Sequence, residues 1–246
     1  MDRLIYTALT AMNSAMNRQR AVANNLANAS TPGFRQEVFA VTPATLKDGS
    51  LEARAMARGN VRGADMSSAR VSPTGLPLDI AVQGEALVAF QAPGGGEFYS
   101  RRGDLRVAPT GLLENGEGLP VMGQDGPITV PAGRQLSISE DGSLLAADPD
   151  TPNEPPEILD QIKLVTPDGS QLAKGIDSFL KVPGGGVLPP DPTARVTSGA
   201  LEQSNVQTAE TIVDMIEAQR AFEQRATIIE KAGQLDEASS ALMAMN

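Results

Sequence analysis

Apolar positions between residues 2 and 29 recur in steps of three and four: Leu4, Ile5, Leu9, Met12, Met16, Val22 and Leu26, with Ala8, Ala15 and Ala23 between them. That period marks one face of an α-helix, and Asp2 offers an acceptor to the free N–H groups of its first turn. The stripe is thin, built largely of Ala and Met and broken at Gln19. A helix resting on so little is marginal in water and needs a partner. Asn24, Asn25 and Asn28 crowd around Leu26, which does not suit an ordinary apolar core, and Pro32-Gly33 cannot continue the helix. A second helical stripe starts near Ser204. Ser204 with Gln207 fits a capping box, and Thr208 is a competing cap one turn later. From there Ile212, Met215, Ile216, Phe222, Ala226, Ile229, Leu235 and Leu242 mark one apolar side, with Gly233 expected to loosen the helix.

Between these helices the period changes from 3.6 to 2. Val38, Phe39 and Val41 read as strand, followed by small residues and Gly49, Gly59 and Gly63, so residues 34–70 predict an extended arm or long hairpin. From 71 to 185 short apolar runs recur at Leu78–Val82, Leu87–Phe90, Leu105–Val107, Ile128–Val130, Leu136–Ile138 and Ile162–Val165. Pro93-Gly94-Gly95-Gly96, Asn115-Gly116, Asp125-Gly126, Asp141-Gly142 and Asp168-Gly169 separate them. Asx-Gly pairs between such runs are strong hairpin signals, and their regular spacing predicts an antiparallel β barrel or sandwich. Residues 186–203, following the Pro- and Gly-rich stretch from Pro183, form an extended return connection, and 204–246 the last helix. The fold class is therefore mixed and mainly β, with long N- and C-terminal helices packing together in coiled-coil fashion.

Composition narrows the function. Aromatic residues make up only 3% of the 246-residue chain, which suits elongated elements better than the aromatic-rich core and pockets of a compact enzyme. A formal charge of −10 disfavours nucleic acid and anionic membrane surfaces. Absence of His and Cys removes thiol nucleophiles, histidine bases and the usual zinc sites. No apolar run reaches membrane-spanning length, and the N-terminus lacks the basic start and apolar core of a cleaved signal peptide. Residues 1–30 carry a net +2 and residues 202–246 a net −5, with three basic and eight acidic side chains, so the terminal segments attract one another weakly.

Candidate chemistry is sparse. Gly94–Gly96 and Gly184–Gly186 lack the Lys-Ser/Thr of a phosphate loop and read as turns. Asp148, Asp150, Glu154 and Glu157 do not have the spacing of a Ca²⁺ loop and are stiffened by four prolines, so they read as a solvated loop. Arg101-Arg102 beside Asp104 could clamp a carboxylate or phosphate, but a surface hairpin is the simpler reading. Met12, Met16, Met215, Met243 and Met245 lie on the helices, where adaptable thioethers fill either a core or an intersubunit contact.

The run Ala21-Val22-Ala23-Asn24-Asn25-Leu26-Ala27-Asn28-Ala29-Ser30-Thr31-Pro32-Gly33-Phe34-Arg35 resembles the N-terminal signature of the bacterial flagellar basal-body rod and hook proteins. Leu201–Val206 and Ala218–Glu223 are similar to the second, C-terminal signature, and Pro77–Gly84 and Gly126–Pro131 resemble family text from the middle. Gly84-Glu85-Ala86-Leu87 departs from the pattern, where relatives often carry Gly and an aromatic residue. The opening Met1–Ala8 and the length resemble the proximal-rod branch, with the distal-rod branch as the alternative. The resemblance implies a structural subunit exported by the flagellar type III apparatus into the periplasm. It would polymerise through its terminal helices with copies of itself and other rod proteins, and take no cofactor, nucleic acid or small-molecule substrate. On that reading the interface residues are Leu9, Met12, Met16, Asn24, Asn25, Leu26, Asn28, Phe34, Asn205, Ile212, Ile216, Phe222 and Ile229. The rivals are a periplasmic homo-oligomeric binding module and, more remotely, a carboxylate-using β-barrel hydrolase.

Overall fold

A computed structural model describes residues 2–48, 51–149, 151, 154–168, 170, 172–175 and 179–243; Gly49, Asp150, Gly169 and Met245 lie outside the described residues. In chain order the elements begin with α1 (Asp2–Ala27), β1 (Glu37–Asp48), β2 (Leu51–Ala64), β3 (Val71–Pro73), β4 (Ile80–Val82) and β5 (Leu87–Gln91). Next come β6 (Glu97–Ser100), β7 (Leu105–Val107), β8 (Leu113–Asn115), β9 (Gln135–Ile138), β10 (Ser143–Ala147) and β11 (Glu157–Gln161). The rest are β12 (Leu164–Val165), β13 (Ala173–Lys174), β14 (Leu180–Lys181), β15 (Val196–Ser198), β16 (Ala200–Glu202) and α2 (Thr208–Met243).

The chain divides into two units. The first comprises residues 1–27, 37–63 and 207–246. In it α1 packs against α2 and against β1, and β1 pairs with β2. Small residues permit the close approach of helix to strand: a Cβ at Gly59 would lie 2.2 Å from the Ser14 hydroxyl, and Asn17 Nδ2 donates to the Gly59 carbonyl at 3.1 Å. α2 starts at Thr208, so neither expected cap holds the N-cap position, which falls to Gln207. The Ser204 hydroxyl accepts instead from the Val206 N–H, while the Gln207 carbonyl accepts both the N–H and the hydroxyl of Thr211. Gly233 does not interrupt the helix.

The second unit, residues 28–36 and 64–206, is the β body. Its centre is the five-stranded sheet in the order β12-β5-β6-β14-β13. Alternation sends Val88, Phe90 and Phe98 into one cluster with Ile80, Leu113 and Leu144, and Leu87, Ala89 and Tyr99 into another with Val165 and Leu188. Both faces of the sheet are therefore covered, which is why Leu87–Phe90 is apolar without a break. Phe90 and Phe98 stack at 5.5 Å between ring centroids.

Among the described residues the strands form small separate sheets and no closed barrel. Every pairing described is antiparallel. The body's strands are two to five residues long because glycine turns interrupt them before a continuous ladder can close. The turns at Ala92–Gly96 and Asp141-Gly142 make the expected hairpins β5–β6 and β9–β10. Asn115-Gly116 does not join two full strands: Asn115 Oδ1 accepts from the N–H groups of Glu117 and Leu119. Ile128–Val130 contributes one isolated bridge, Thr129 with Leu112. The return connection is more structured than its composition suggests. Its Leu188 N–H donates to Tyr99 Oη at 2.8 Å, and its β15 and β16 pair with β4 and β3.

Candidate subunit interface

In the helical unit the small residues Ala15, Ala21, Val22, Ala218 and Ala232 are buried. Among the described residues the larger apolar groups are not: Leu9, Ile212 and Ile216 are 46–47% exposed, and Val213, Ile228 and Leu235 more so. Met12, Met16, Leu26, Phe222 and Ile229 are half-buried. Arg18 lies 3.6 Å from Asp214 and 3.7 Å from Glu217, an exposed ion pair of the sign expected from the terminal charges.

The asparagines do polar work at the end of α1. Asn25 is buried, accepts from the Glu37 N–H at 2.7 Å and donates to the Glu37 carbonyl at 3.2 Å, so its amide pairs with β1 as a neighbouring strand would. Asn24 Nδ2 donates to the Glu37 carboxylate at 2.5 Å. In the body, Asn28 accepts from Thr31 through its carbonyl and its side chain, closing the turn before Pro32.

The remaining signature residues converge inside the body. Asn205 Oδ1 accepts from the Gln36 N–H at 2.7 Å, its Nδ2 donates to the Asp65 carbonyl, and its N–H reaches the Phe34 carbonyl. Phe34 is buried under the Lys174 ammonium, 3.7 Å from the ring centroid. Beside them Glu202, 2% exposed, accepts from Arg35 Nη2 at 2.5 Å, Arg101 Nε at 2.7 Å and the Ala69 N–H at 2.8 Å. Arg101 also donates to the carbonyls of Val82 and Gly84, and the Gly33 N–H donates to the Glu202 carbonyl at 2.7 Å. Gly33 has φ +68°, and a Cβ there would sit 2.3 Å from the Arg101 carbonyl carbon, so only glycine fits.

Two guanidiniums thus share one carboxylate in a dry setting. Burial pushes the Arg101 guanidinium below its ordinary value; Glu202 opposes that shift and the charge of Arg35 adds to it. Burial likewise raises the phenol of Tyr99. The simple reading of Arg101-Arg102 as a surface hairpin holds for neither side chain in full: Arg101 is buried, and Arg102 is paired with Asp104 and Glu117. No spacing rule links positions 35, 101 and 202. The available signal was a lone charge in each terminal signature run, Arg35 in one and Glu202 in the other; Arg101, beside Arg102, had no such mark. Among the described residues no group of three potential metal ligands gathers, and no helix is long and apolar enough to cross a membrane.

Family models match three stretches. "Flagella basal body rod protein" covers residues 5–35, "Flagellar hook protein FlgE/F/G D1 domain" residues 81–146, and "Flagellar basal body rod FlgEFG protein C-terminal" residues 197–242. The chain is 36% identical over 252 residues to flagellar basal-body rod protein FlgF of Salmonella typhimurium, covering 100% of both chains. The chain belongs to the flagellar basal-body rod protein family. It is 39% identical to FlgF of Escherichia coli K12 over 93% of each chain, and 26% identical to the rod protein FlgG of Bacillus subtilis over 93% of this chain and 94% of that one. The similarity is thus higher to these FlgF proteins than to this FlgG, and the rod family is structural, not enzymatic. Arg35, Arg101 and Glu202 each come from a different one of the three matched stretches.

Proposed function

We propose that this rod-family chain is a subunit of the proximal rod, secreted through the flagellar type III apparatus and assembled in the periplasm into a shaft that transmits torque. Polymerisation runs through α1 and α2, whose faces pack in coiled-coil fashion against copies of the chain and other rod proteins, FlgG-type subunits among them. The β body, a layered sandwich-like module, stays folded throughout. One observation carries the reading: in a chain matched over its full length by a rod protein, α1 and α2 leave Leu9, Ile212, Val213 and Ile216 uncovered. Burying such groups at about 25 cal/mol per Å² of apolar surface is the available source of assembly energy.

The test is incorporation into basal bodies in cells lacking the native subunit. Ile216→Asp, Leu26→Asp and Phe222→Asp subunits are each expected to be made with a folded body and to be missing from purified basal bodies. Normal incorporation of all three would remove helix-face polymerisation as the mechanism. A small closed oligomer in sedimentation, formed without other rod proteins, would instead favour the homo-oligomeric binding module.

A further inference from the structure

The ion cluster joins parts of the sequence that become available at very different times. Glu202 bonds Arg35 across 167 positions, Ala69 across 133 and Arg101 across 101. The same return segment supplies β15 to β4 and β16 to β3. By contrast β5–β6, β7–β8 and β9–β10 are hairpins of neighbouring strands. Local hairpins form in microseconds, whereas pairings over a hundred residues must first meet the cost of loop closure.

We infer that Glu202 is a latch that closes the body last, so that a chain emerging N-terminus first keeps its body open until the return segment has arrived. The charges make this closure all-or-none. Either guanidinium buried without the carboxylate would carry its charge into the body unpaired, a cost that the carbonyls of Val82 and Gly84 on Arg101 do not cancel, so Arg35 and Arg101 stay in water until Glu202 is present. The carboxylate meets the converse cost. Gly33 tightens the coupling, because its N–H bonds the Glu202 carbonyl while its missing Cβ lets Arg101 pass. The inference stands on the geometry of the body and would hold whatever the helices assemble with.

Pulse-labelling hydrogen exchange during refolding of the full chain tests it. The β5–β6 amides are expected to gain protection in a fast phase. The amides of Gly33 and Ala69, which bond Glu202, and those of β4 and β15 are expected to follow together at least tenfold more slowly. In Glu202→Gln the fast phase should keep its rate, while Gly33 and Ala69 lose protection at least tenfold. Protection of Gly33 and Ala69 in the same phase as β5–β6 in the wild-type chain would overturn the inference, even if the variant fails to fold. Unchanged slow-phase protection in Glu202→Gln would do so as well.

Discussion

At the scale of single residues, the Arg35–Glu202–Arg101 cluster separates specificity from stability. Removing one partner of a buried ion pair leaves the other charge uncompensated and costs about 3–5 kcal/mol. Glu202→Ala is accordingly expected to lower the urea midpoint of the body steeply. Arg18→Ala, which breaks only the exposed pairs to Asp214 and Glu217, is expected to change stability by less than about 1 kcal/mol. Equal effects of the two would show that the cluster is not dry. A pH effect belongs here too. Asp191 accepts from the hydroxyls of Thr166 and Thr193 and the Thr193 N–H, which lowers its carboxyl from 3.8 to about 2. Because the folded value is depressed, this contribution is complete above pH 3.8 and is lost as pH falls towards 2. An NMR titration should find the Asp191 midpoint near 2, and in Thr166→Val it should move back towards 3.8. The buried cluster and the Thr166–Asp191 bond were not legible from sequence. Long-range ion pairs leave no periodic trace, whereas Asp191 with Thr193 two positions on is a local pattern that a turn rule can find.

At the scale of elements, legibility followed locality. α1 was readable because its stripe repeats over many turns, and the hairpins at Ala92–Gly96 and Asp141-Gly142 because the turn residues sit between their own strands. In α2 the expected stripe is not the buried face, since Ala218 and Ala232 are buried while Ile212, Ile216 and Leu235 are exposed. Where the partner is distant the reading failed. Ile128–Val130 looks like a strand but makes a single bridge, and the Gly- and Pro-rich return segment contains β15 and β16. The signature asparagines show the same limit. Their polarity announced an unusual helix end, but only the fold shows Asn25 pairing with the Glu37 backbone. The turn after α1 offers the sharpest element-level test. Gly33→Ala would place a methyl against the Arg101 backbone at positive φ, so both contacts are lost together. The expected result is a destabilisation of several kcal/mol with loss of Gly33 amide protection, comparable to Glu202→Ala and not additive with it. Full additivity in the double variant would show that the two residues act separately.

At the scale of the whole molecule, the two units have opposite energetic characters. The body encloses two apolar clusters on the faces of one sheet and ties its distant segments with buried hydrogen bonds. Among the described residues the helical unit fully buries mainly alanines and leaves its larger apolar side chains half-buried or exposed. A helix pair with so small a buried area gains little to set against the entropy of ordering its residues. Limited proteolysis of the monomer should therefore cut within residues 2–27 and 208–243 well before it cuts within the body. Circular dichroism should show less helix than α1 and α2 would contribute if fully formed, and helicity should rise on assembly with other rod proteins. The body's exchange protection should stay constant through that rise, because its clusters are already complete. Helices that resist protease in isolation as strongly as the β5–β6 hairpin would show that folding and assembly are separate events. The exposed Ile212 and Ile216 would then be ordinary surface residues, and the energy for polymerisation would have to come from elsewhere on the chain.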